Sequence, residues 1–207
     1  MTNEVTHMYE TTYEKFTDEQ LDAYLAKLDY KGTRDLTLEN LDELIRIHPL
    51  HIPFENLNPY YGKPVLLDKD SLFDKIIAHK RGGFCFELNG LFQVLAYSFG
   101  FDSYSCAARI IRGDIITPLH HRGTIVHLND KLYFCDVGFG GDMMPFAVEI
   151  STEPTVKQGK TAWCEPVKDG WYVLMTLDAE GQPKPMLMFG TLAMNMNDFN
   201  YLCGGML

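Results

Sequence analysis

The chain has no apolar run near the roughly 20 residues needed to cross a bilayer, and no Cys-x-x-Cys pair. Residues 1–7 hold no basic stretch followed by an apolar one, so no secretory leader is read there. Five cysteines at irregular spacing form no disulfide framework, and a reducing, cytoplasmic compartment is expected. Basic residues are scarce: 18 Lys and Arg stand against 28 Asp and Glu, for a formal net charge of −10. That balance excludes nucleic acid or an anionic membrane surface as a general partner. It also means that an anionic small molecule must be held by local donors, such as backbone N–H groups or a few lysines and arginines, against the field of the whole chain. No repeat, low-complexity tract or charge run is present. What remains, 46% apolar and 22% charged residues over 207 positions, is a globular composition.

Two kinds of periodicity divide the chain. Residues 1–100 read mostly as helices. Thr17 and Gln20 form a capping box, followed by Leu21, Tyr24, Leu25 and Leu28 at helical spacing and stopped by Gly32. Thr37 opens a second helix that Pro49 ends, and residues 51–68 are irregular. Asp68 or Asp70 caps a third, and a fourth runs from near Cys85 to Gly100. Beyond Gly100 the spacing predicts strands over 103–112, 123–128, 131–137, 146–150, 171–177 and 186–189, with a polar loop at 151–159. Helices followed by strands predict an α+β fold, an N-terminal helical bundle and then an antiparallel sheet or barrel. The division expected is a helical domain at 1–100, a β domain at 101–190 and a linker-like segment at 191–207.

The segment from Lys80 to Asn89 carries the strongest chemical signal. It places Cys85 after Gly82 and Gly83, at the start of an apolar helical pattern. A helix start offers unpaired N–H groups and partial positive charge, and a thiol held at such a place is more readily the nucleophilic thiolate. Cys106, Cys135, Cys164 and Cys203 lack these surroundings and read as small, inert hydrophobes.

A thiolate nucleophile needs a base and a group to orient it. Two β-prone runs flank Asn129-Asp130, a polar pair suited to a tight hairpin. With that pair as the loop, Leu128 faces Lys131 and Asp136 faces Gly123. His121 then lies diagonal to Asp136 on the same face, at a backbone separation of roughly 7–8 Å that side chains can bridge. His120 points to the opposite face. His127 shares the face but is displaced by roughly 13 Å along the strand. The hairpin therefore selects His121 and Asp136 as an imidazole–carboxylate pair. The three histidines do not assemble a metal site, because 120 and 121 point apart and nothing completes four ligands.

The sequence Arg-Gly-Gly-x-Cys-x-Glu-x-Asn, a histidine ahead of an apolar strand, Asp-Val-Gly-Phe-Gly, and Ile52-Pro53-Phe54-Glu55-Asn56-Leu57 together resemble the arylamine N-acetyltransferase family. The resemblance runs from about Tyr13 to at least Phe146, and more weakly through Asp198-Phe199. It implies a cysteine-proteinase-like arrangement of the core and a Cys85–His121–Asp136 triad. The implied activity is ping-pong transfer of an acetyl group from acetyl-coenzyme A to an arylamine, arylhydrazine or arylhydroxylamine, a reaction of xenobiotic metabolism. Acetyl-coenzyme A enters as co-substrate, with no permanently bound cofactor and no metal. Phe54, Phe86 and Phe139 are expected to supply an apolar slot for the aromatic ring. Glu55, in a Pro-bounded segment, is expected to take Arg81 as a bidentate partner, and with Asn89 the pair supports the site.

The resemblance also implies a lid segment beyond the linker, whereas this sequence ends at Leu207. Without a lid, Cys85 is expected to be more open to water and acetyl-coenzyme A to be held weakly, with homo-oligomer formation as one way to restore cover. Two other readings stay open. One is a papain- or transglutaminase-like hydrolase, which shares the Cys, His, Asp order. The other is a weakly active, lid-less relative that binds a small ligand.

Overall fold

Polar caps start the helices where the sequence places them. Thr17 accepts from the Gln20 N–H at 3.2 Å and Gln20 returns the bond at 3.1 Å, opening α1 (Asp18–Lys27). Thr37 caps α2 (Leu38–His51), which buries Leu41, Leu44 and Ile45. This helix runs two residues past Pro49 instead of stopping there. In the last turn a proline costs only one bond, and the Ile52 N–H still closes on the His48 carbonyl at 2.9 Å. A single turn, α3 (Leu57–Tyr60), lies inside the stretch expected to be irregular. Asp68, not Asp70, caps α4 (Lys69–Phe73), which continues as a π turn over Asp74–Ala78. The central helix α5 (Cys85–Phe99) ends at Gly100, where φ is 120°.

The computed structural model describes residues 14–204. Residues 1–7, read above for a leader, and Tyr13 and Leu207 lie outside them. The strands are β1 (Asp102–Arg112), β2 (Ile115–Ile116), β3 (His121–Leu128), β4 (Lys131–Cys135), β5 (Val148–Glu149), β6 (Thr155–Lys157), β7 (Lys160–Pro166), β8 (Trp171–Leu177) and β9 (Pro183–Gly190). They form an antiparallel sheet in the order β5-β4-β3-β1-β9-β8-β7-β6, with β2 folded back on β1. The sheet is nearly closed: the Cys164 N–H of β7 donates to the carbonyl of Ser151, just past β5, at 2.9 Å.

The α+β architecture is the expected one, with differences in detail: β4 stops at Cys135, two residues short of its expected end, β2 is an added two-residue strand, and β9 begins at Pro183, ahead of the expected 186. Residues 155–157, expected in a loop, pair as β6 with β7, a strand the sequence reading passed over. The strand expected over 146–150 is only two residues long. The stretch expected to be linker-like carries α6 (Met196–Gly204), which buries Phe199 and Cys203 against the helices.

Strand alternation gives the sheet two cores. Cys106, Ala108, Ile125, Phe134, Leu187 and Phe189 fill the barrel, while Ala107, Val126, Tyr133 and Cys135 face the helices. The hairpin turn fits its residues. Asn129 and Asp130 both have positive φ, 52° and 59°, as a type I′ turn requires, and the register runs from Leu128↔Lys131 to Thr124↔Cys135.

One histidine in the helical core has a consequence for stability. His48 is fully buried, its Nε2 lies 2.8 Å from the Tyr24 hydroxyl, and its ring meets Phe92 edge-on. Burial pushes its pKa down from 6.5 to about 3, so the unfolded chain binds a proton that the folded chain refuses between those values. Stability should therefore fall as pH drops from about 6.5 toward 3, by a few kcal/mol from this residue. Denaturant melts of the parent and of His48→Gln, taken across that range, check it. The variant should show the shallower decline, and equal slopes would rule His48 out as the cause.

Candidate active site

Cys85 is the first residue of α5, so its N–H has no acceptor within the helix. The entry to this helix is fixed by a short parallel bridge between Phe54 and Gly83. Glu55 N–H donates to the Gly83 carbonyl at 2.8 Å and Gly83 N–H to that of Pro53 at 3.3 Å. A Cβ on Gly82 would lie 2.0 Å from the Pro53 carbonyl oxygen, so glycine is required there for close approach of the two backbones. The glycine pair before the cysteine thus places Cys85 against the Ile52–Leu57 motif.

His121 and Asp136 meet as the hairpin parity requires. His121 Nε2 and Asp136 Oδ2 are 2.6 Å apart, and both residues are buried. The other ring nitrogen, Nδ1, is buried with no hydrogen-bond partner in the resting geometry, and the ring lies beside the Cys85 thiol. The Cys85 sulfur is 3.6 Å from the His120 carbonyl, to which the thiol donates. Burial opposes a charge on His121, but the Asp136 carboxylate outweighs it and holds the imidazole pKa well above its ordinary value. Asp136 responds in the opposite sense. Burial would raise its carboxyl, and His121, Asn89 and the Gly138 N–H together hold it below the usual range.

Asn89, one turn along α5 from Cys85, ties the three segments together. Its Nδ2 donates to Asp136 Oδ1 at 2.8 Å and to the Arg122 carbonyl at 2.6 Å, while its Oδ1 accepts from the Val137 N–H at 2.8 Å. Gly138 N–H also donates to Asp136 Oδ1, at 2.8 Å. Gly138 packs so closely that a Cβ would come within 3.1 Å of the Cys85 Cα. The loop after β4 therefore lies directly on the first turn of the cysteine helix.

Arg81 does reach Glu55, but its fork is split. One nitrogen donates to Glu55 Oε1 at 2.7 Å and the other to Asn58 Oδ1 at 3.0 Å. Sequence reasoning missed the next members of this network. Lys75, on the π turn, lies 3.5 Å from Glu55 and 2.6 Å from Glu87, and Glu87 accepts from the Phe84 N–H at 3.2 Å. The local signal for Glu87 was its place three residues after Phe84, the residue before the helix, where a carboxylate reaches back to that N–H. No signal marked Lys75, because a π turn sets its direction. Arg122 was also passed over. It is fully buried, donates to Ser105 Oγ at 2.7 and 3.0 Å, and lies 4.3 Å over the Phe199 ring.

The three phenylalanines separate. Phe139 meets the His121 ring edge-on with centroids 5.7 Å apart. Phe54 is 48% exposed and lies over Gly140, where a Cβ would be 2.9 Å from its ring. Phe86 is fully buried between Phe84 and Phe199, in the core and away from any open wall. It occupies the next position of α5 and points inward where Cys85 points toward His121. A cleft of about 640 Å³ opens beside Phe139, Gly140 and Gly141, bounded by the end of β1 and by β8 and β9.

Comparison with known proteins agrees with this layout. A family model described as N-acetyltransferase matches residues 37–204. The chain is 35% identical over 135 residues to the arylamine N-acetyltransferase / N-hydroxyarylamine O-acetyltransferase of Salmonella typhimurium, covering 64% of this chain and 48% of that protein. It is 34% identical over 148 residues to an arylamine N-acetyltransferase of Mycobacterium tuberculosis, covering 67% of this chain and 52% of that one. The solved arylamine N-acetyltransferase of Salmonella typhimurium superposes with a TM-score of 0.83 at 27% identity, over 91% of this chain and 69% of that one. The chain spans about half the length of the curated relatives it matches.

The five thiols should differ in reactivity. Burial pushes those of Cys106 and Cys135 far up, that of Cys164 to about 12 and that of Cys203 to about 11. Cys85, 7% exposed at a helix start beside an imidazole, is expected to react with iodoacetamide well before the others. Peptide mapping after brief labelling checks this, and equal modification of Cys203 would contradict it.

Proposed function

The chain belongs to the arylamine N-acetyltransferase family, and we propose that it moves an acetyl group from acetyl-coenzyme A to an arylamine, arylhydrazine or arylhydroxylamine through a thioester on Cys85. The observation that carries this reading is the constellation itself: a cysteine at a helix start, beside an imidazole whose far nitrogen is 2.6 Å from a buried carboxylate. With Asp136 holding its charged form, His121 carries at Nδ1 the proton given up by Cys85, and the sulfur attacks the thioester carbonyl as the thiolate. The backbone N–H of Cys85 helps to hold the developing oxyanion. Coenzyme A leaves as the thiol with the proton from His121. The amine then attacks the acetyl-enzyme, His121 removes its proton, and the Cys85 sulfur is released. One site serves both half-reactions, so the kinetics are ping-pong.

Asp136 keeps the imidazole in one orientation and stabilises its charged form. The residues up to 100 carry the nucleophile and those over 101–190 carry its base and carboxylate. Phe139 and Phe54 border the path of the aromatic ring, and Phe86 acts as packing behind the nucleophile. Acetyl-coenzyme A is a co-substrate and no resident cofactor takes part. The free thiols fit the reducing cytoplasm, where we place the protein in xenobiotic metabolism. Self-association is a further element of this reading.

Intact mass spectrometry after mixing with acetyl-coenzyme A tests the first half-reaction. One acetyl adduct on Cys85 is expected, discharged by an aromatic amine and not formed from a peptide substrate. An adduct elsewhere, or none, would overturn the reading. Among the histidines, His121→Ala should abolish the adduct. His127→Ala should leave it, because that ring lies at the surface 3.4 Å from Asp102. Asp136→Asn should slow turnover by about 10⁴-fold, the scale known for loss of the orienting carboxylate in such triads. A loss of less than tenfold would show that Asp136 is not needed to orient the base.

A further inference from the structure

The start of α5 is held by a nearly buried cation. Lys75 stands on the π turn, where the His79 N–H closes on the Asp74 carbonyl at 2.9 Å and the Arg81 N–H on the Lys75 carbonyl at 3.2 Å. Single π turns are frequent at functional sites. Here the Lys75 ammonium, 13% exposed, lies 2.6 Å from Glu87 Oε1 and 3.5 Å from Glu55 Oε1. Glu55 has a second cation, Arg81 at 2.7 Å, whereas Lys75 is the one cation paired with Glu87 among the described residues. Glu87 is 1% exposed, and its other oxygen accepts from the Phe84 N–H at 3.2 Å. A Cβ on Gly83 would lie 2.8 Å from the Glu87 Cβ, so the Glu87 side chain rests directly against the Gly83–Phe84 peptide that it holds. The next peptide along carries the Cys85 N–H, which has no acceptor within the helix.

The charge on Glu87 decides how firmly that peptide is held. Burial raises its carboxyl, Lys75 opposes the rise, the Phe84 N–H opposes it further, and the nearby Glu55 charge adds to it. The Cys203 thiol, on α6, also lies within reach of the Glu87 charge. As a carboxylate, Glu87 makes charge-assisted bonds, roughly twice as strong as neutral ones. With Lys75 gone, one backbone amide is left to oppose burial, and Glu87 takes a proton as pH falls. A protonated carboxyl is the weaker acceptor, so the Gly83–Phe84 peptide loosens and the Cys85 N–H loses its fixed direction.

We infer that Lys75 is a positioning residue: by keeping the charge on Glu87 it fixes the peptide ahead of Cys85 and so aims the Cys85 N–H at the reacting carbonyl. The oxyanion role of that N–H rests on the acyl-transfer reading, whereas the hold on the helix start does not.

Two readouts on the full chain keep these apart. One is hydrogen exchange of the Phe84 amide by NMR, which needs no acyl donor. The other is the single-turnover rate of Cys85 acetylation per folded molecule at saturating acetyl-coenzyme A. Both are taken from pH 6 to pH 8.5 in the parent, Lys75→Met, Lys75→Arg, Glu87→Gln and Lys75→Met/Glu87→Gln. At pH 6, Lys75→Met should speed exchange and slow acetylation by about tenfold each relative to the parent, below the ~100-fold that a misplacement of about 1 Å can cost. Both effects should shrink toward pH 8.5, where Glu87 regains its charge. Lys75→Arg keeps the cation and should stay near the parent. Lys75→Met/Glu87→Gln should match Glu87→Gln in both readouts, because a neutral amide accepts from the Phe84 N–H without a counter-charge. A Lys75→Met defect that is equal at every pH, or that persists on top of Glu87→Gln, would overturn the inference. So would a loss that follows only the folded fraction seen by circular dichroism. If Lys75→Met alone does not fold, the comparison of Glu87→Gln with the double variant decides: equal values support the inference and a further loss overturns it. A parent that never acetylates would strike the transfer reading alone and leave the Phe84 amide to decide this one.

Discussion

The contact between His121 and Asp136 is the constraint around which the other parts are arranged. It is a buried charged pair, and burial by itself disfavours both charges. The pair persists because each remaining capacity is met nearby. Asp136 accepts from Asn89 and from the Gly138 N–H in addition to His121, so its carboxylate stays ionised in a place where an isolated one would not. Removing one partner from a buried pair of this kind typically costs about 3–5 kcal/mol, since the other charge is left uncompensated. Asn89 belongs to the helix that presents Cys85, and it also holds the Val137 N–H and the Arg122 carbonyl. One amide side chain therefore ties the cysteine helix to the hairpin carrying His121.

A second set of charges holds the other side of the same helix start. Arg81, Glu55, Lys75 and Glu87 run in sequence from the Ile52–Leu57 segment to the first turn of α5. Burial raises the carboxyl of Glu87, and Lys75 opposes that by donating to it at 2.6 Å. Glu55 and Glu87 in turn hold backbone, accepting from the Leu57 and Phe84 N–H groups. Together with the glycine at 82, which admits the Pro53 carbonyl, they fix where the α5 N–H groups point. The two carboxylates at this helix start are thus each met by a cation.

Much of this was legible in the sequence because it rests on local rules. The Thr17 capping box, the Asn129-Asp130 turn and the parity that brings His121 to Asp136 each depend on residues close in the chain. The selection of His121 over His120 and His127 needed only a two-residue period and a turn length. What was not legible depends on packing at a distance. Phe86 follows the nucleophile and looks available to a substrate, yet the helix turn directs it onto Phe199, more than a hundred residues away. The linker-like residues form a helix because Phe199 and Cys203 find a core to bury into. β6 was obscured because a strand of three residues gives almost no alternation to read, and β7 because only its middle, Ala162–Cys164, is buried between polar ends. Lys75 and Arg122 became visible only when their carboxylate and hydroxyl partners were brought near by the fold.

Asp136 holds a buried imidazole in its charged form beside the Cys85 sulfur. Burial alone would do the reverse, as it does at His48, so the sign of the effect is diagnostic. Following the His121 ring by NMR from pH 5 to pH 10, in the parent and in Asp136→Asn, measures it directly. The account predicts a parent imidazole that keeps its proton through the neutral range and loses it only in alkali, and a variant that titrates at or below the ordinary value. A parent His121 that titrates near 6.5, with no change in Asp136→Asn, would contradict it.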